Sequence, residues 1–135
     1  MKLVIVLSAI VWSAYSITIP LSTVKSWYDV TAPYQETCIQ ESDVDPDIAR
    51  NMLLINTLPN EMHMRCYLKC LHEKLNFYLP NGDLDKDLMV KTFDHVTPEI
   101  GDMCFAKFGS EPDHCLKSYR IVMCGVQATL EAESQ

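Results

Sequence analysis

Glycine is scarce in this chain, with four in 135 residues. None of them sits in a Gly-x-Ser-x-Gly turn, the strained elbow that presents a nucleophilic serine. Asp94-His95 has neither a Gly-rich calcium loop nor an adjacent Cys-Cys pair beside it, so the secreted-phospholipase pattern is missing as well. No placed pair of base and nucleophile stands out, and no catalytic residue is assigned. Basic residues are also few: 11 Lys and Arg face 18 Asp and Glu, for a net charge of -7. Nucleic-acid binding calls for clustered Lys and Arg and is excluded on that ground. Period-two alternation, internal repeats and low-complexity stretches are absent, which leaves little room for strands or a solenoid.

The chain has one long apolar run, Leu3 to Trp12. It follows the single charge of Lys2 and precedes Ala14-Tyr15-Ser16, small residues at the two positions a signal peptidase reads. The run is too short and wrongly flanked for a membrane span, and the pattern is that of a secretory signal peptide cut near Ser16. Residues 1–16 are therefore expected to be a leader and residues 17–135 one domain. Without Lys2, ten basic residues face eighteen acidic ones, a net charge of -8. That balance favours solubility at high concentration. The domain can bury roughly two thirds of its unfolded surface, an adequate core but not a large one.

Cys38, Cys66, Cys70, Cys104, Cys115 and Cys124 all follow the expected leader. An even number of cysteines in a secreted chain reads as a disulfide framework, with many pairings open. A zinc site would need His63 or His72 to join Cys66 and Cys70, and no second ligand pair has metal spacing.

Helix start signals recur. A first helix is expected from about Ser22 to Gln40, broken near Pro33. Asp45-Pro46 is an N-cap followed by a proline at the first helical position, with Ile48, Met52 and Ile55 on one face of the second helix. Leu58-Pro59-Asn60 ends it and caps a third, Glu61 to about Asn76. After the turn Leu79 to Asp83, Asp85 caps a fourth helix, across which Leu84 can staple to Met89. Thr97-Pro98 opens a fifth, ending at Gly109, and Pro112-Asp113 a sixth, reaching about Leu130. The expectation is a compact all-α domain of about six helices.

In the third helix Arg65, Lys69, Glu73 and Asn76 form a narrow polar stripe, with Met62, Met64, Tyr67, Leu68, Leu71 and Leu75 around the rest. So narrow a stripe predicts a helix surrounded on most sides. Cys66 and Cys70 share a face, and each should bond to a different element. In the sixth helix Cys115 and Cys124 are nine apart and, at about 100° per residue, lie on opposite sides. An interior helix stapled from both flanks follows. Ser118, Ile121 and Gly125 fall along one edge, which residue type alone reads as close helix packing or as a cavity wall.

The complete spacing is Cys38-x27-Cys66-x3-Cys70-x33-Cys104-x10-Cys115-x8-Cys124, where x is any residue. It resembles the six-cysteine signature of the insect odorant-binding and pheromone-binding proteins, in which the second and fifth of these gaps are fixed. The resemblance covers the whole mature chain, including the Asn81-Gly82-Asp83-Leu84-Asp85 turn. It implies the pairing Cys38–Cys70, Cys66–Cys115 and Cys104–Cys124, and a helical frame around an apolar cavity. It implies a secreted carrier in sensillum lymph or another body fluid, binding small hydrophobic ligands such as odorants or pheromones. No enzyme activity, cofactor, metal, nucleic acid or stable membrane insertion is expected. An olfactory receptor and a homodimer are the further partners it suggests.

The resemblance also points to cavity residues: Leu68 and His72, two beyond the second and third cysteines; Phe105, after the fourth; Ile121 and Gly125, flanking the sixth. Leu75, Ser118 and Val122 are added from the same helix edges. His72 carries two readings. Periodicity sets it near the polar stripe, solvated; the resemblance turns it to the ligand, where it could donate a hydrogen bond or change charge. Met62, Met64, Met89, Met103 and Met123 are helical, as core filling or as an adaptable ligand surface. Glu131 to Gln135 is polar and too short for a further helix, so a tail that enters the cavity in acid is not expected. The alternative reading is a secreted helical signalling or defence protein acting by protein contact.

Overall fold

The computed structural model describes residues 19–55 and 58–135. The expected leader, residues 1–16, lies outside them. Seven α-helices follow in order: α1 Leu21–Thr31, α2 Gln35–Ser42, α3 Pro46–Arg50, α4 Met62–Lys74, α5 Lys86–Thr92, α6 Pro98–Phe108 and α7 His114–Glu133. Short 3-10 turns, Ala32–Tyr34 and Met52–Leu54, join α1 to α2 and extend α3, which leaves six helical segments. No strand forms among the described residues; Tyr78 and Leu84 make one isolated antiparallel bridge around the turn before α5.

Local chemistry sets most boundaries. Pro33, without an N–H, sits in the 3-10 turn that splits the first segment. The side chains of Asp45, Asp85, Thr97 and Asp113 accept from backbone N–H groups of α3, α5, α6 and α7, as expected of N-caps. Three expectations need correction. The second helix does not run on to Ile55: the backbone leaves the helical region at Asn51, with φ -103° and ψ 11°, and passes into the 3-10 turn Met52–Leu54. α4 is capped by Glu61, which accepts from Met64 N, because Asn60 instead accepts from Arg65 Nε at 2.7 Å. The last helix passes Leu130 and includes Glu131 to Glu133, with Glu133 Oε1 2.9 Å from His95 Nδ1.

α4 and α7 pack along each other at the centre, with α2 against α4 and α6 against α7; α5 covers α6. Two apolar clusters result. One, with Met64, Tyr67, Leu68 and Leu71, lies between α2, α4 and α7. The other, with Phe77, Met89, Ile100 and Ile121, lies between α5, α6 and α7. Met62 departs from the expected apolar wrap of α4 and is 71% exposed at its first turn.

Three disulfides join these layers: Cys38–Cys70, Cys66–Cys115 and Cys104–Cys124. Cys66 and Cys70 reach different elements, and α7 is tied to α4 near its start and to α6 at Cys124. The loops closed span 32, 49 and 20 residues, and each bridge contributes about 3–4 kcal/mol by chain entropy.

Candidate ligand-binding cavity

A cavity of about 110 Å³ opens where the two apolar clusters meet. α4 gives it Leu68, Leu71, His72 and Leu75; α7 gives Ile121, Val122, Gly125 and Val126. Both sets recur at helical spacing on the faces that the helices turn inward. α6 adds Ile100, Gly101, Cys104 and Phe105, α5 adds Met89 and Val90, and Phe93 and Val96 follow α5. Trp27 and Thr31, four apart on α1, close another side beside Met52 and Leu53.

The aromatic wall is ordered edge to face. Trp27 and Phe93 meet at 84° with ring centroids 6.4 Å apart, and Phe93 continues to Phe77 at 5.9 Å. Trp27 Nε1 donates to the Asp94 carbonyl at 2.8 Å, and Thr31 Oγ1 points at the carbonyls of Trp27 and Tyr28. The polar groups of these two residues thus face backbone, and the lining is otherwise hydrocarbon and sulfur.

His72 is the exception. It is 3% exposed and borders the cavity, so its periodicity-based reading as a solvated residue is overturned. The polar stripe of α4 is narrower than a full turn, and the ring falls on the inner side of its edge. Ser118 Oγ lies 2.9 Å from His72 Nδ1, and Tyr78 Oη lies 2.7 Å from Ser118 Oγ. Tyr78 Oη donates in turn to the His114 carbonyl at 3.0 Å. Burial away from water penalises the imidazolium and pushes the His72 pKa down to about 4. The ring is therefore neutral near neutral pH.

Of the residues expected at the site, Leu68, His72, Leu75, Phe105, Ile121, Val122 and Gly125 line one space. Ser118 does not: it is fully buried behind His72, where it holds the ring. A Cβ built on Gly125 meets nothing within 4 Å, so the small-residue edge borders open space at that point and not a neighbouring helix. Among the methionines, Met89 reaches the cavity and Met64 is core, while Met62 and Met103 are exposed. Sequence reasoning missed Trp27, Met52, Phe93, Val96 and Ile100. Trp27 carried a signal, since it shares a buried face with Thr23 and Thr31 at four-residue spacing. Met52, Phe93 and Val96 come from short or irregular segments where periodicity is weak, whereas Ile100 lies in the regular helix α6.

A sequence model described as the PBP/GOBP family matches residues 27–128, which is 102 of the 135 residues. No curated protein and no solved structure matches the chain.

Proposed function

The chain belongs to the PBP/GOBP family, and from that membership we propose that it is a secreted carrier that takes up small hydrophobic ligands, such as odorants or pheromones, in the cavity between α4, α6 and α7. The family is one of binding proteins, not enzymes, and its members are secreted. No helix among the described residues is long and apolar enough to cross a membrane.

The observation that carries the reading is an apolar cavity lined from nearly every element of a cross-linked frame. Empty apolar space costs about 24 cal/mol per Å³, on the order of 2–3 kcal/mol here. Space kept at that cost is easiest to account for when an occupant repays it. The three disulfides supply enough stabilisation to hold the walls apart while it is vacant. Leu68, Leu75, Phe105, Ile121, Val122 and Gly125 would contact the ligand's hydrocarbon, and His72 its polar end.

The test is uptake of a fluorescent apolar amine by the oxidised protein. Emission should rise and blue-shift on binding, and medium-chain alcohols and other odorants should displace the probe. No uptake, or a probe that no apolar compound displaces, would sink the carrier reading.

A further inference from the structure

The polar end of the cavity has a definite hydrogen-bonding sense, set by counting protons along the chain that starts at His72. The His114 carbonyl is an acceptor only, so its 3.0 Å contact uses the Tyr78 hydroxyl proton. The 2.7 Å contact between Tyr78 Oη and Ser118 Oγ then needs the serine proton, donated to the tyrosine oxygen. Ser118 has no second proton, so the 2.9 Å contact with His72 needs a proton on Nδ1. A neutral imidazole carries one proton. Every donor in the run His72, Ser118, Tyr78 points away from the cavity, and Nε2 is left bare.

Nε2 has no hydrogen-bond partner among the described residues, and His72 lines the cavity with its other nitrogen held by Ser118. Trp27 spends its donor on a backbone carbonyl, and Thr31 Oγ1 faces carbonyls of its own helix. Among the lining side chains His72 Nε2 is thus the unpartnered polar atom, and it accepts. We propose that the cavity selects apolar ligands that end in a hydroxyl, whose O–H donates to His72 Nε2, over aldehydes, esters and ethers of the same skeleton. A carbonyl or ether oxygen would set lone pair against lone pair at that nitrogen and leave both unsatisfied in a dry site. The selection rests on the carrier reading, since it concerns the ligand of the same cavity. Ser118 does not touch the ligand; it is a positioning residue that fixes the tautomer.

Three measurements on the folded, oxidised protein test this. Nitrogen NMR of the His72 ring should find the proton on Nδ1 in the ligand-free protein; a proton on Nε2 overturns the proposal. Decanol should displace N-phenyl-1-naphthylamine at about tenfold lower concentration than decanal or decyl methyl ether. Equal displacement by all three also overturns it, whereas failure of all three to displace a bound probe counts against the carrier reading and leaves the NMR result standing. In Ser118→Ala the ring is free to carry its proton on Nε2, so the preference for decanol over decanal should shrink to about twofold or less. A preference that survives intact in that variant, with the ligands still bound, shows that Ser118 does not set the tautomer and overturns the chain.

Discussion

Replacing Gly125 tests whether the α7 edge borders ligand space. Gly125 lies inside α7, and a Cβ there meets nothing within 4 Å. Gly125→Ala should therefore gain the ordinary helix-interior difference, about 0.5–1 kcal/mol, without a clash. Gly125→Leu adds hydrocarbon to a cavity of about 110 Å³. Filling part of that space recovers part of its cost, on the order of 2–3 kcal/mol when fully empty. The ligand-free Leu variant should thus be more stable by on the order of 2 kcal/mol, a rise of roughly 5–10 °C in melting temperature. The same side chain occupies ligand volume, so long-chain ligands should lose about tenfold or more in affinity while short ones lose less. Thermal unfolding by circular dichroism with the bridges intact, and probe displacement over a series of chain lengths, read the two effects. A variant that folds and binds every ligand unchanged removes Gly125 from the cavity wall. One that is destabilised by more than about 1 kcal/mol refutes the open-space reading. Gly101 on the opposite wall is the contrast: a Cβ there would sit 2.6 Å from Val90 Cγ2, so Gly101→Ala should cost stability.

Burial holds the folded His72 at a pKa of about 4 against 6.5 for a free imidazole, so the unfolded chain takes up the proton first. Stability should then fall as pH drops from about 6.5 toward 4, by on the order of 3 kcal/mol, and level off below. Urea midpoints across that range should show the slope in the native protein and lose it in His72→Phe; an unchanged slope in the variant assigns it to other groups. Tyr119 Oη donates to the Leu58 carbonyl at 2.8 Å, whereas the buried Tyr67 Oη has no partner among the described residues. Tyr119→Phe should cost about 1 kcal/mol in chemical unfolding, and Tyr67→Phe should be neutral or stabilising; the reverse order would contradict the geometry. Peptide mapping under non-reducing conditions should recover Cys38–Cys70, Cys66–Cys115 and Cys104–Cys124, and full reduction should abolish probe binding before it removes all helicity.

Much of the frame was legible because it rests on local rules. Asp45 and Asp85 cap the helices they were expected to cap, and Thr97 and Asp113 prove to be the caps where Thr97-Pro98 and Pro112-Asp113 were expected to open helices, since a side-chain oxygen two or three residues before a free N–H needs no tertiary partner. The opposed positions of Cys115 and Cys124 follow from helical geometry, so an interior helix tied on two flanks was visible from spacing alone. The cysteine gaps matched a family whose pairing the structure contains. Where several weak preferences compete, sequence was a poorer guide. α3 ends at Asn51, where the backbone leaves the helical region and passes into a 3-10 turn, and Glu61 replaces Asn60 as a cap because Arg65 claims the asparagine.

Tertiary structure alone decided the interior. Periodicity assigns a residue to a side of its helix to within about a third of a turn, and His72 sits at an edge where that uncertainty spans solvent and core. Its burial depends on α7 lying across it, with Ser118 of α7 meeting its Nδ1 and Tyr78, beyond the end of α4, meeting Ser118 in turn. The same holds for Gly125: a missing side chain reads as tight packing or as open space until the opposite wall is in place. Sequence determines which faces are apolar and where helices start. Whether two apolar faces meet or leave room between them is a matter of a few ångströms, set by every element that props them apart.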